Sequence, residues 1–519
     1  MSAIAANPTP RPLDHLAECG ADDDPALILR AGTLSYKDLS RAVGQMAAWL
    51  RAQVNKTNEG AAGTGARVVS WAAKGQLTSL LPLAAARAGL VHVPINPLLK
   101  RAQVAHILGD SDAALLIGNQ GRLSSLEQGD IPESCHVIEE DSVLEDAALF
   151  GDALPPSAAN PDDLAAILYT SGSTGAPKGV MLSHANLWLG AVSVAHYLGL
   201  ENDDVVLAVL PFSFDYGQNQ LLSAWRAGAC AVPLDYLFPR DVIKACIRHG
   251  ITTLAALPPL WVQLIEQNWP EEATQSIRRI TNSGGALNAE MVEALRSTFP
   301  KSRLFSMYGL TEAFRSTYLD PALVQSRPTS IGKAVPFAEI LIIRDDGTLA
   351  AADEEGELVH CGPLVAQGYW RDAARSAERF RPAPEQSRYG GMAVWSGDRA
   401  KRSADGLLYF IGRRDAMIKS SGNRISPQEV EDAALATGLV AEAVALGVAD
   451  ERLGQAVHLV VRAHGDAGEA ERDLPAILAR HLPNFMQPQK IHWKETMPIN
   501  PNGKVDRAGL AKELQEDAP

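Results

Sequence analysis

Twelve residues constrain this chain more than any others: Tyr169-Thr-Ser-Gly-Ser-Thr-Gly-Ala-Pro-Lys-Gly-Val180. They hold three glycines, four Ser/Thr hydroxyls and one lysine. The apolar run Leu164–Leu168 leads in and the apolar patch Val180–Leu182 leads out. Glycine lets a backbone turn sharply and bring its N–H groups close to a ligand. Hydroxyls add donors, and Lys178 adds a point charge. Taken alone, such a segment is also compatible with a solvated turn, but the combination suits a polyphosphate. The spacing Gly172-x-x-Gly175-x-x-Lys178 is not the G-x-x-x-x-G-K-[ST] of P-loop NTPases, so a phosphate loop of another kind is expected.

A chain of 519 residues is too long for one small core, and two or more domains are expected. Apolar residues make up 46% and charged residues 21%, as in ordinary globular proteins. The net charge of −14 argues against a general grip on nucleic acid, which needs a basic face. The five cysteines are scattered, with no C-x-x-C pair, which reads as a reduced, cytoplasmic protein without disulfides or structural zinc. The most apolar stretch, Leu77–Leu99, is interrupted by Arg87, His92 and three prolines. It reads as a core helix followed by a buried strand, with no membrane span. Residues 1–12 carry three prolines and no signal-like apolar region, and are expected to form a disordered tail.

Strand-like apolar runs alternate with helical patterns at Val68–Trp71, Ala88–Val93, Ala113–Ile117, Val205–Pro211, Thr253–Leu257 and Arg279–Asn282. This alternation predicts an α/β architecture. From Ile331 to Phe410 the pattern shifts to short strands with turns such as Asp345-Asp-Gly347, which predicts an antiparallel or barrel-like β subdomain. A boundary is expected at Gly412–Asp415. Beyond it, an amphipathic helix at Pro427–Ala436, strands at Ala441–Val448 and Ala456–Val461, and a helix at Leu474–His481 predict a small α+β domain. The division is therefore a tail (1–12), a large N-terminal domain (13–414) and a C-terminal domain (415–519).

Further motifs follow in order: Thr33-Leu-Ser-Tyr-Lys-Asp-Leu39, Arg87-Ala-Gly-Leu-Val-His-Val-Pro-Ile-Asn-Pro97, Tyr308-Gly-Leu-Thr-Glu312, Gly356-Glu-Leu358 through Gly368-Tyr-Trp370, Ser396-Gly-Asp398, Gly412-Arg413 through Arg424, and Pro501-Asn-Gly-Lys-Val-Asp-Arg507. Together with the phosphate loop, this series resembles the AMP-forming adenylating enzymes: acyl-CoA synthetases, amino-acid adenylation domains and luciferases. The run from Tyr308 to Tyr318 also looks like a subgroup of AMP-forming ligases associated with exosortase systems. The resemblance implies that a carboxylate attacks the α-phosphate of ATP to give an acyl adenylate and pyrophosphate. The acyl group then passes to the thiol of coenzyme A or of a carrier-protein pantetheine. A luciferase-like acceptor other than a thiol is the alternative. No carrier-like segment follows Pro519, so an acyl or peptidyl carrier protein is expected in trans. A non-catalytic protein of this fold would be expected to lack Lys504, Glu312 or Asp398, and all three are present.

The resemblance also implies roles residue by residue. Thr170, Ser171, Gly172, Ser173, Thr174, Gly175 and Lys178 would clamp the β- and γ-phosphates. Tyr308 and Gly309 would stack on adenine, with Ser283, Gly284, Gly285 and Ala286 on its other side. Thr311 would donate to the α-phosphate, and Glu312 would hold Mg²⁺ together with phosphate oxygens. Asp398 would accept both ribose hydroxyls, and Arg413 would contact ribose or phosphate. Lys504 matches the catalytic lysine, a point charge bridging the carboxylate and α-phosphate. Asp415 matches the hinge between two orientations of a mobile C-terminal domain. Lys419, Gly422 and Arg424 belong to the segment that would swing in for the thiol step, where Gly422 leaves room for pantetheine.

The acid pocket is the least determined part. Phe212, Phe214, Asp215, Asn219, Met307 and Arg315 are expected to line it. Ser213-Phe-Asp215 resembles the amino-acid adenylation domains, whose aspartate binds the substrate ammonium. A carboxylate among aromatic residues is costly to bury unless a cation pairs with it. Two other readings stay open. Asp215-x-x-Gln218 fits a capping box, and Arg315 is a possible partner for Asp215 or for an acidic substrate end.

Overall fold

The computed structural model describes residues 9–57, 65–170, 177–413, 416–420, 423–450 and 452–516. The expected alternation becomes three sheets. A six-stranded sheet runs in the order His136–Glu139, Ala113–Gly118, Arg67–Trp71, Val91–Pro94, Leu164–Thr170 and Lys178–Ser183. Its pairings are parallel except the last, where Thr170 lies opposite Lys178 in an antiparallel hairpin. The loop read as a phosphate clamp therefore joins two hydrogen-bonded strands at a sheet edge. Ser171, Gly172, Ser173, Thr174 and Gly175 lie outside the described residues.

The second sheet has a parallel part built from Pro25–Leu29, Cys230–Pro233, Val205–Ala208, Thr253–Ala256, Arg279–Asn282 and Arg303–Tyr308. The pairing runs on through Thr317–Tyr318 into Ser330–Ala334, Leu408–Arg413, Met392–Arg402, Glu355–Cys361 and Glu339–Ile343, all antiparallel. These strands are the β subdomain expected between Ile331 and Phe410. The third sheet lies wholly beyond Met417, and a separate apolar core there includes Ile418, Ile425, Val430, Leu459 and Leu474. The expected division at 414/415 falls on residues outside the description.

Local chemistry explains where element ends depart from the sequence reading. The strand expected from Ala88 begins at Val91, because the preceding helix Gln76–Ala88 runs on to Gly89. That glycine adopts φ 71° and closes the helix in the left-handed conformation. The run Val205–Pro211 is strand only to Ala208. Beyond it the Leu210 N–H donates to the Gln220 side chain, and the chain turns into the helix Asp215–Arg226. The C-terminal helix starts at Ala467 rather than Leu474, where Asp466 caps it by accepting from Gly468 N–H.

The broken apolar stretch is a buried helix and a buried strand, Gln76–Ala88 and Val91–Pro94, and no described helix is long and apolar enough to cross a membrane. Its two charged or titratable interruptions are both buried; Arg87 is paired, whereas His92 is bonded at Nε2 only and its Nδ1 has no partner among the described residues. His92 Nε2 is 3.0 Å from Ser70 Oγ. Arg87 is paired at 3.0 Å with Asp14, and both side chains are almost fully buried. Asp14 also accepts from the Ser157 N–H at 2.9 Å and hydroxyl at 2.6 Å. Three distant segments thus meet on one carboxylate. Removing one partner strands the other in a low dielectric, so Asp14→Ala is expected to lower stability by about 3–5 kcal/mol, while Asp14→Ala with Arg87→Met recovers part of the loss. Urea denaturation of the N-terminal domain measures this. A loss below about 1 kcal/mol for the single change would show that the pair does not anchor the segment.

Candidate active site

Neighbouring parallel strands end side by side, and crevices at such carboxyl ends are where open α/β sheets bind ligands. Arg279–Asn282 leads into Ser283–Ala286, and Arg303–Tyr308 leads into Gly309. Gly284 has φ +77°, and a Cβ there would meet Leu257 at 2.7 Å and the Lys504 side chain at 2.9 Å. Both the backbone angle and the close approach require glycine. Gly309 is less crowded: a Cβ there would lie 3.1 Å from Arg315 Nη1 and 3.3 Å from the Phe314 carbonyl oxygen.

The segment after Gly309 is a single 3-10 turn, Thr311–Ala313, closed by Phe314 at φ 58° and ψ −62°. A bulky residue held at positive φ stores strain and persists only where its surroundings hold it. Here the Phe314 ring fills space that a side chain at Gly190 would occupy. The turn sends Glu312 to Lys178 and Tyr369, and Thr311 and Arg315 to Asp215.

Glu312 is buried and forms the centre of one charge cluster. It accepts from Tyr369 OH at 2.6 Å and from Lys178 Nζ at 3.1 Å. Lys178 also donates to Tyr369 OH at 2.7 Å and lies 4.2 Å from the centre of its ring. Burial pushes the Glu312 carboxyl up, but Lys178, the Tyr369 hydrogen bond and Arg379 outweigh it, leaving the group below the usual glutamate range. The phosphate-loop lysine and the expected metal carboxylate therefore hold each other. Among the described residues no group of three or more His, Cys, Asp or Glu gathers as a metal cage. One carboxylate that faces nucleotide phosphates is nonetheless a usual way to hold Mg²⁺.

A second cluster surrounds Asp215, which is 3% exposed. Thr311 donates to its Oδ1 at 3.2 Å and Arg315 to its Oδ2 at 3.4 Å. Burial pushes this carboxyl above its usual range, with Arg315 and Lys504 offsetting part of the effect. The helix that begins at Asp215 has Phe214 as its N-cap and no side-chain cap, so the carboxylate faces the site rather than the helix N–H groups. The Arg315 guanidinium also lies 4.5 Å from the Tyr216 ring centre. Phe212, Phe214 and Met307 are buried around the same region.

Lys504 reaches this cluster from the C-terminal domain. Its Nζ lies 4.9 Å from the centre of the Phe214 ring, and its side chain passes Gly284. Burial lowers its pKa, with Asp215 pulling the other way. A tight turn presents it: Asn500 Oδ1 accepts from the N–H groups of Asn502 and Lys504, and Gly503 has φ +80°. Asn96 donates to Pro501 O at 2.6 Å and to Asn502 Oδ1 at 3.3 Å, fastening the turn to the N-terminal domain. Behind the turn, Arg507 makes two bonds to Glu431, at 2.7 and 2.6 Å.

The third cluster joins Tyr308, Asp398 and Arg413. Tyr308 OH donates to Asp398 at 2.5 Å, and Arg413 Nε lies 3.5 Å from the same carboxylate. The structure thus brings together Lys178, Thr311, Glu312, Tyr308, Asp398, Arg413, Asp215, Arg315 and Lys504. Lys419 stands apart: it is exposed on the strand Ile418–Ser420, and its N–H donates to Gln455. Asp415 and Gly422 lie outside the described residues, and of Arg424 only the backbone is described.

Two participants had no role in the sequence reading. Tyr369 stood in the quoted Gly368-Tyr-Trp370 motif without a chemical assignment, and its pairing with Glu312 spans 57 residues. Arg379, at the end of the helix Ala373–Arg379, is drawn towards Glu312, Tyr369 and Asp398, and no spacing in the sequence signals it.

Known proteins resemble this chain over most of its length. The AMP-binding enzyme family model matches residues 14–370, and the AMP-binding enzyme C-terminal domain model matches residues 429–504. The L-proline–[L-prolyl-carrier protein] ligase of Pseudomonas fluorescens is 31% identical over 508 residues, covering 94% of this chain and 96% of that protein. The D-alanine–D-alanyl carrier protein ligase of Bacillus licheniformis is 29% identical over 448 residues, covering 83% of this chain and 86% of that protein. Among solved structures, ATP-bound MatB from Rhodopseudomonas palustris superposes with a TM-score of 0.86 at 24% identity, covering 98% of this chain and 100% of that one, a likeness of fold. The chain belongs to the AMP-binding enzyme family and is an adenylating ligase, which converts a carboxylate to an acyl adenylate and passes the acyl group to a thiol.

Proposed function

We propose that the enzyme activates a small carboxylic or amino acid with ATP and loads it onto the pantetheine thiol of a separate carrier protein. The observation that carries this reading is Lys504. A lysine fifteen residues from the C-terminus is brought by its own turn against Asp215, Phe214 and Gly284, where the strand ends meet. A cation delivered there by another domain is suited to the point where substrate carboxylate and α-phosphate must approach despite like charge. The carrier acceptor is supported by the two ligases above, whose names specify carrier proteins. Coenzyme A is the alternative thiol. The five cysteines are free, which agrees with a reduced, cytoplasmic setting.

In this reading Asp398 holds the ribose hydroxyls, with Tyr308 and Arg413 setting its orientation. Adenine lies between Tyr308 and the segment Ser283–Ala286. Lys178 leaves Glu312 for the β- and γ-phosphates when the nucleotide enters. Glu312, still held by Tyr369, is then free to hold Mg²⁺, which neutralises phosphate charge when bound. Thr311 turns its hydroxyl from Asp215 towards the α-phosphate. Asp215 remains paired with Arg315, so burial alone does not require a substrate ammonium. Its carboxylate still has lone pairs for one.

ATP consumption is expected to yield AMP and pyrophosphate, to depend on Mg²⁺ and on the right acid, and to go to completion with a pantetheine-bearing carrier. Pyrophosphate exchange followed by nucleotide analysis checks it. ADP and phosphate as products would refute adenylation, and turnover with coenzyme A alone would move the acceptor from carrier to coenzyme.

Lys504→Ala is expected to slow adenylation by at least about a hundredfold, the scale for losing one electrostatic contact to a transition state. Thioester formation from chemically supplied acyl adenylate should stay within about twofold. Equal loss in both half-reactions would mean that Lys504 serves the fold or both steps.

A further inference from the structure

Next to Asp215, reached through its neighbour Tyr216 and its partner Arg315, lies a cavity of ≈ 20 Å³ with Tyr216, Asn219, Thr253, Thr281, Met307 and Arg315 in its wall. Most polar groups of that wall are already engaged. Tyr216 OH and Thr281 Oγ1 are 2.5 Å apart. Tyr197 OH bonds Met307 Sδ, and Ser223 Oγ bonds Asn219 O. Three polar atoms have no partner among the described residues: Asn219 Nδ2, Thr253 Oγ1 and Arg315 Nε. All three side chains are 2% exposed. Buried groups of this kind are almost always hydrogen-bonded in a native protein, so their grouping around one cavity requires a partner. The amide nitrogen and the guanidinium can only donate, and the threonine hydroxyl does either. The partner is therefore an acceptor. Arg315 also touches Asp215, which makes this wall continuous with the reacting end of the site.

Resting on the adenylating reading above, we propose that the substrate is a short acid whose far end carries an oxygen acceptor (a hydroxyl, an amide carbonyl or a second carboxylate) and that Asn219, Thr253 and Arg315 recognise it. The cavity is close to the size of one water, which leaves no space for a fatty or aryl tail without rearrangement. An apolar tail of the right size would leave three donors unpaired, and a site built to hydrogen-bond a substrate rejects the analogue that cannot.

The test is pyrophosphate exchange with size-matched pairs: serine against 2-aminobutyrate, asparagine against leucine, 3-hydroxypropionate against butyrate, and succinate against 4-methylvalerate. The oxygen-bearing member should win in at least one pair by about tenfold or more in kcat/KM. In Thr253→Val and in Asn219→Leu that ratio should fall by about tenfold while the KM for ATP is unchanged; a merely structural role would lower both members of a pair together. Apolar members exchanging as well as or better than their partners would overturn the proposal and leave adenylation standing. A cavity filled by a structural water alone would give this same result. Exchange with no acid of any kind would overturn the adenylation reading and this inference with it.

Discussion

The site depends on one constraint: two carboxylates are buried beside the strand ends, and each needs a cation. Glu312 is met by Lys178, and Asp215 by Arg315 and Lys504. An unpaired ionised carboxylate in such a place is very unfavourable. The short turn Thr311–Arg315 supplies Glu312 to one cluster and Arg315 to the other. The strained Phe314 between them holds the two directions apart. The cluster positions charge before any substrate arrives, which is how electrostatic stabilisation avoids reorganisation during reaction. Asp215 also favours the charged form of Lys504, in a crevice that holds Arg315, Arg413 and Glu312 as well.

Several residues that the structure gathers in the site stood out in the sequence by their chemistry and short spacing. The hydroxyl-rich loop with Lys178, the Tyr308–Glu312 run, Asp398 and Lys504 announce themselves within a few positions each. The α/β alternation, the antiparallel β subdomain and the small C-terminal sheet were legible from apolar periodicity. Element ends were less so: Gly89 carries the helix past the point where apolar pattern alone placed a strand. Most long-range partners were not legible. Tyr369 meets Glu312 across 57 residues and Arg507 meets Glu431 across 76. No local pattern records such a meeting, because tertiary packing creates it. The same holds for Asp215. Its sequence context permitted an ammonium ligand, a helix cap or an Arg315 partner. The structure pairs it with Arg315 and Thr311, and the helix has no side-chain cap.

The contacts between the domains bear on the role proposed for Lys504 in one step. The Lys504 turn is fastened by Asn96, and at the rim Arg462 pairs with Glu266 at 2.9 Å. In this arrangement Lys504 occupies the crevice while Lys419 stays exposed in its own sheet. The proposed function requires that the domain present Lys504 for adenylation and withdraw it before a thiol enters.

The direct measurement locks this arrangement. Glu266→Cys and Arg462→Cys, in a background with the half-buried Cys19 and Cys135 changed to serine, place two thiols at the rim for a short bifunctional crosslinker. The locked enzyme should keep pyrophosphate exchange within about twofold of the uncrosslinked variant and lose transfer to the pantetheine thiol by at least about a hundredfold. A locked enzyme that completes the transfer at the uncrosslinked rate would contradict the account, because Lys504 would then not need to leave.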